Sequence, residues 1–263
     1  MKILIVSATN FELNSIKEKI KSLNLKGFNF SFFCTGIGNF DSIYNLTKFL
    51  EGKDFDFVAN FGICGYKNQK PDFVQIGRIF GKAKEKEFLV PQFINFGKIS
   101  SILSSEKIIF EEKEIGEENF VDMESFGIEF VLEKTGIPRA FFKFPFDKIG
   151  SKDTKNFKEK LPEIKNILQE NFYYEKFFQK VKNFLEKNNK KNFEKEFIFL
   201  EKNIGNFTFQ EKNIFEKKFF EFETLVQNNI FDFLKNIFQK EKEFFANKKK
   251  DLKMKKKFLI EKI

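Results

Sequence analysis

Three carboxylates stand at positions where a strand gives way to a loop or helix: Glu12, Glu124 and Asp147. Each follows a short apolar run, at Lys2–Val6, Asn119–Asp122 and Arg139–Phe144. In a parallel sheet such positions gather on one edge, where ligands bind. A carboxylate can orient water, hold hydroxyl groups or deliver a proton, and a pocket lined with several stabilises positive charge developing in a transition state. The chain has no His and only two cysteines, Cys34 and Cys64. Ser-His-Asp chemistry, Cys-His chemistry and His-ligated zinc are therefore excluded, as is a disulfide framework. No metal or cofactor is expected. Both cysteines read as inert buried thiols.

The elements that must position these groups alternate. After the strand Lys2–Val6, Leu13, Ile16, Ile20 and Leu23 share one face of a helix over Phe11–Leu23. Strand readings follow at Phe28–Cys34, Asp56–Asn60, Val74–Gly81, Lys98–Ser105, Asn119–Asp122 and Arg139–Phe144. Helices are expected over Asp41–Leu50, Glu124–Lys134 and Phe157–Phe172. Alternation of this kind predicts an α/β fold, a mostly parallel mixed sheet flanked by helices. Glu124 and Asp147 are one helix and one return strand apart, which brings both back to the same edge.

Composition divides the 263 residues in two. The net charge of +9 rests mainly on the last third, where residues 173–263 hold 22 Lys against 14 Asp and Glu. Thirteen of the 14 Gly precede residue 151, so turns belong to the first part. The expected domains are 1–172, α/β, and 173–263, an all-helical Lys/Phe-rich extension. Phe is abundant, 43 residues, together with Lys, Asn and Ile; this is the mix AT-rich codons produce, so Phe clusters are weak evidence for aromatic binding sites. Phe177, Phe178, Val181, Phe184 and Leu185 have helical spacing and read as bundle packing. The Lys248–Lys250 to Lys255–Lys257 run suits nucleic acid or an anionic surface, or a solvated tail. No apolar stretch is long enough for a membrane span or a signal peptide, and a cytoplasmic location is expected.

Residues 1–150 resemble the purine nucleoside phosphorylase superfamily, and most closely its nucleosidase branch of methylthioadenosine/S-adenosylhomocysteine and futalosine nucleosidases. The resemblance lies in Lys2-Ile3-Leu4-Ile5-Val6 with Glu12, Thr35-Gly36-Ile37-Gly38, Asn60-Phe61-Gly62-Ile63-Cys64-Gly65, Val121-Asp122-Met123-Glu124-Ser125, the Gly136-Ile137-Pro138 turn and the strand ending at Asp147. It implies cleavage of an N-ribosidic bond of a purine nucleoside. By the same resemblance Asp147 protonates the base N7 in an apolar setting supplied by Phe144, Pro145 and Phe146, and Glu12 activates water. Glu124 holds the ribose hydroxyls and Met123 packs on the sugar. Gly36 and Gly62 let backbone approach the substrate, and Ile108 and Ile109 flank the base. A homodimer is implied. The chain departs from the family at Phe146, where a Ser is usual, and in a short, charged stretch over 66–118. The first loop has no Arg and Asn60 precedes the third-strand glycines, which favours water over phosphate as nucleophile. A phosphorylase with an unusual phosphate site and a non-catalytic nucleoside-binding or assembly module remain the alternatives.

Overall fold

A computed structural model of the chain describes residues 1–82, 86–151, 157–188, 193–226, 229–246 and 252–263. It divides into two units. The first takes in Met1–Lys134 and Pro138–Leu185, the second Glu186–Ile263 with Thr135–Ile137.

The first unit is built on an eight-stranded mixed sheet. Its elements run β1 (Lys2–Ser7), α1 (Asn10–Ser22), β2 (Asn29–Cys34), α2 (Asn39–Leu50), β3 (Phe57–Tyr66), β4 (Val74–Gly81), β5 (Lys86–Leu89), β6 (Ile99–Ser104), β7 (Phe120–Asp122), α3 (Ser125–Thr135), β8 (Arg139–Lys148), α4 (Phe157–Glu170) and α5 (Tyr174–Asn188). Parallel pairing joins β1 to β2 and β3, β3 to β8, and β6 to β4 and β7. Antiparallel contacts join β3 to β7 and β4 to β5 and β8. The strands β3, β8, β4, β6 and β7 thus pair in a closed ring, in which β3 and β8 run with β1 while β4, β6 and β7 run the other way. This is the mostly parallel α/β arrangement the alternation predicts.

Two strands run further than the sequence indicates. The expected strand ends at Asn60 and Phe144 move to Tyr66 and Lys148 because the distal halves of β3 and β8 pair with each other. Glycines make the close packing of β3 feasible: a Cβ at Gly65 would come within 2.9 Å of Val121 Cγ1. The helix expected over 157–172 stops at Glu170, and Phe172 turns into the core instead. The strand β5 has no counterpart in the sequence reading.

Packing is dominated by Phe. Phe142, Phe172 and Phe177 meet with ring centroids 4.8 to 5.6 Å apart, and Phe61 joins them from β3. These rings cover one face of the sheet with α5, so the helical spacing of Phe177 and Phe178 serves the first unit's core. On the second unit, helices α6 (Glu194–Asn203), α7 (Phe209–Val226), α8 (Ile230–Lys240), α9 (Lys242–Ala246) and α10 (Leu252–Lys262) enclose a core of Phe193, Phe197, Phe215, Phe219, Leu234 and Leu259 among others. Lys248–Lys250 lie outside the described residues. Within the rest of the basic run, Lys256 is buried and pairs with Glu211 at 2.6 Å, a structural use of one of these lysines. Among the described residues no helix is long and apolar enough to cross a membrane.

The contact that sets the helices over the sheet edge is at Gly127. Its N–H donates to Asn39 Oδ1 at 2.8 Å, and a Cβ there would lie 2.9 Å from the Asn39 Cα and overlap its carbonyl. Asn39 also accepts from Ser104 Oγ at 3.0 Å, which ties α2 and α3 to β6. Gly127→Ala is expected to destabilise the protein by about 1–3 kcal/mol, the cost typical of overpacking. Urea unfolding of the two proteins measures it.

Candidate active site

Glu12 is placed by the start of α1. Thr9 caps this helix: the Glu12 N–H donates to Thr9 Oγ1 at 3.2 Å, while Glu12 Oε2 accepts from the Thr9 N–H and hydroxyl at 2.9 and 2.8 Å. This capping box is a local feature that a Thr-x-x-Glu pattern favours. It also leaves Glu12 Oε1 to accept the Ile63 N–H from β3 at 2.9 Å. The carboxylate is 4% exposed, so it is fixed by three donors in a buried site.

Glu124 comes from the short loop between β7 and α3. Its Oε1 accepts the Gly38 N–H at 3.0 Å, and its Oε2 the Met123 N–H at 3.3 Å. Gly38 has φ +94°, a conformation that favours glycine, and this aims its N–H across the site. Asp122 beside it accepts from the Ser125 N–H and opens α3. Lys143 of β8 points inward and pairs with Asp122 at 2.8 Å; both side chains are essentially buried.

Burial pushes the Glu124 carboxyl up to about 7, and repulsion from Asp122 adds to it, while Lys143 and the Gly38 N–H offset part of the effect. Burial alone would lower the Lys143 ammonium, but Asp122, Glu124 and Glu12 outweigh it and hold the lysine above its ordinary value. Burial drives the Cys64 thiol well up, which keeps it protonated and unreactive.

Asp147 reaches the site by a different device. In the β3–β8 pairing Cys64 faces Pro145 and Gly65 faces Asp147, so Phe146 is the extra residue of a β-bulge. Bulges re-aim side chains at sheet rims. Here Phe146 is buried, and Asp147 is 58% exposed and pairs with Lys160 of α4 at 2.8 Å. The apolar shield expected from Phe144–Phe146 is therefore absent: Phe144 packs with Phe73 and Phe172 instead.

A cavity of about 470 Å³ opens between these elements. Glu12, Met123, Glu124, Asp147, Ile108 and Ile109 line it, as do Asp122, Ile63, Lys107, Lys148 and Lys160. Gly36 and Gly62 do not. Gly36, at φ +86°, packs against Asp41 and Asn45, and Gly62 lies behind Glu12, where a Cβ would come within 3.3 Å of Glu12 Oε1. Their place is behind the wall of the site and not on it. Sequence reasoning left Lys143 undirected and overlooked Lys160. A lysine inside an otherwise apolar strand was the available signal, since a buried ammonium requires a carboxylate partner. Among the described residues no group of three or more Asp, Glu or Cys side chains could hold a metal ion.

Solved structures that share this fold include nucleosidases. 5′-Methylthioadenosine/S-adenosylhomocysteine nucleosidase of Campylobacter jejuni superimposes with a TM-score of 0.55 at 16% identity, covering 65% of this chain and 96% of that one. The fold is that of the nucleosidases. Arabidopsis thaliana 5′-methylthioadenosine nucleosidase gives a TM-score of 0.55 at 15% identity, covering 73% of this chain and 97% of that one. A futalosine hydrolase mutant of Helicobacter pylori gives 0.51 at 14%, covering 64% and 97%. No protein-family model matches the chain, and no curated protein does.

On this nucleosidase fold, the raised Glu124 carboxyl has a consequence for stability. Unfolded, it ionises near its ordinary value of 4.5; folded, it keeps its proton to about 7. Between these values the folded protein binds more protons, so stability falls as pH rises, by up to about 3 kcal/mol. Urea unfolding of the unliganded protein at pH 5 and pH 8 is expected to show this loss. Glu124→Gln is expected to remove most of it.

Proposed function

We propose that the chain hydrolyses the N-glycosidic bond of a purine nucleoside. The observation that carries the reading is the polarity of the cavity. Glu12 and Glu124, each held by backbone N–H groups, occupy one part, and Asp147 stands on the bulged end of β8. Apolar Ile63, Ile108, Ile109 and Val121 line the walls, which suits a flat heteroaromatic base. The nucleosidase fold supports the same assignment.

In this reading Glu124 accepts from the ribose 2′- and 3′-hydroxyls, and Met123 packs on the sugar. The C1′–N9 bond breaks with its electron pair leaving on the purine. Asp147 gives a proton to N7, and Lys160, 2.8 Å away, neutralises the carboxylate left behind. The sugar cation is stabilised by the buried carboxylates. Glu12 takes a proton from the attacking water, whose oxygen bonds to C1′. Exposed Ile37, Phe40, Tyr44 and Phe110 support the expected pairing with a second copy.

Water is the favoured nucleophile on electrostatic grounds. A phosphate beside the ribose would face Glu12, Glu124 and Asp122, and the one cation among them, Lys143, is already paired with Asp122. Base release from a panel of purine nucleosides is therefore expected in phosphate-free buffer at the same rate as with phosphate. A requirement for phosphate with formation of ribose 1-phosphate would replace hydrolysis by phosphorolysis.

Substitutions separate the roles. Asp147→Asn is expected to lower kcat by about 10²–10⁴-fold, the usual contribution of a general acid. Glu12→Gln is expected to lower kcat similarly while nucleoside affinity persists, and Glu124→Ala to weaken affinity as well. Steady-state kinetics and calorimetric titration distinguish these outcomes. Near-normal turnover in Asp147→Asn would remove it from the mechanism.

A further inference from the structure

The first turn of α3 is capped from outside the helix. Glu124 is its N-cap residue, since the Ile128 N–H donates to the Glu124 carbonyl at 3.0 Å. An N-cap side chain ordinarily accepts from the second or third N–H of its own helix. Here both are taken by other elements. The Phe126 N–H donates to Ser104 Oγ of β6 at 3.2 Å, and the Gly127 N–H to Asn39 Oδ1 of α2 at 2.8 Å. The Ser125 N–H goes to Asp122. With these donors satisfied, the Glu124 carboxylate turns to the cavity and accepts from Gly38 and Met123 instead.

Asn39 joins this cap to a second wall of the cavity. Ser104 Oγ and the Gly127 N–H converge on its Oδ1, and its Nδ2 donates to Glu106 at 3.1 Å, so the amide has a single orientation. Asn39 is fully buried, and it directly follows Gly38, whose N–H holds Glu124. Glu106 begins the segment that carries Ile108 and Ile109, both on the cavity wall. Asn39 and Glu106 themselves lie behind that wall.

We propose that Asn39 is a positioning residue of this site: it caps α3 in place of Glu124, which frees that carboxylate for a ligand, and through Glu106 it fixes the Ile108–Ile109 wall against the same point. That the freed carboxylate meets a sugar rests on the function proposed above. Without the Asn39 amide, the Gly127 N–H would be buried and unpaired, which is costly. The carboxylate of its own N-cap residue, Glu124, is then the group to take it, at the expense of the cavity. Further N–H donors would also draw the Glu124 carboxyl down, because hydrogen bonds to the charged form favour ionisation.

Two readouts on the full chain test this role: urea unfolding at pH 5 and pH 8, and base release with calorimetric binding for inosine and adenosine. Glu12, Asp122 and Lys143, the charged groups that act on Glu124, stay in place throughout. Asn39→Ala is expected to shrink the stability lost between the two pH values by half or more, and to weaken nucleoside affinity about 10-fold, the range of one hydrogen bond to a charged group. Glu106→Ala is expected to leave the pH response unchanged and to raise KM about 3- to 10-fold with kcat retained. Glu106→Gln still accepts from Nδ2 and is expected to keep the wild-type KM. Ser104→Ala removes the other half of the cap and is expected to move both readouts in the direction of Asn39→Ala, which decides the matter if that variant does not fold. A pH response and nucleoside affinity unchanged in folded Asn39→Ala or Ser104→Ala overturn the proposal, as does a wild-type KM in folded Glu106→Ala. If the wild type releases no base and binds neither nucleoside while Asn39→Ala still flattens the pH response, the nucleosidase function falls and Asn39 keeps its part in freeing Glu124.

Discussion

The site depends on one buried ion pair, Lys143 with Asp122, set among carboxylates. An ammonium inside a strand is costly unless it is paired and hydrogen-bonded. Here the pairing joins β8 to the junction of β7 and α3. The same lysine offsets Glu124 and Glu12, whose charges would otherwise repel across a small volume. Without it three buried carboxylates would stand together with no cation among them. Removing either partner would leave an uncompensated charge, so the pair is an all-or-none condition for the rest of the site.

Backbone groups complete the arrangement. Two of the cavity's carboxylates are held by backbone N–H donors: Glu12 by Thr9 and Ile63, Glu124 by Gly38 and Met123. Such donors cost no side-chain entropy and fix the acceptor tightly. Glu12 shows how a local helix signal and a site role coexist in one residue. Its capping box uses one oxygen, and the other spans to the third strand. Asp147 lacks this support. It sits on a bulge, half in solvent, held by Lys160.

Phe supplies the rigidity beneath. Bulky rings from β3, β8, α5 and the turn at Phe172 interlock on one face, in edge-on and tilted contacts that aromatic pairs favour. The second unit repeats the device with Phe193, Phe197, Phe215 and Phe219. The Phe content is thus spent on the cores, and the cavity is lined mainly by aliphatic and charged groups, with only Phe11 and Phe110 as rings among the described residues.

The sequence by itself determined the α/β class, the order of the first strands and helices, and the edge on which Glu12, Glu124 and Asp147 gather. Alternating apolar runs and strand-end motifs are local signals, and the closed ring of the mixed sheet brings the end of β7, though antiparallel to β3, beside the ends of β1 and β8. The family resemblance also indicated Met123, Ile108 and Ile109, which line the cavity. Only the tertiary structure decided which way Lys143 points, since strand alternation leaves two faces and the partner lies 21 residues away at Asp122. It likewise decided the bulge at Phe146, the extension of β3 and β8, and the pairing of Asp147 with Lys160, all of which arise from long-range strand register and helix docking. Gly36 and Gly62 carry the same lesson. Their type announced a close approach, but what approaches is the protein's own Asp41, Asn45 and Glu12, and that is settled by packing alone.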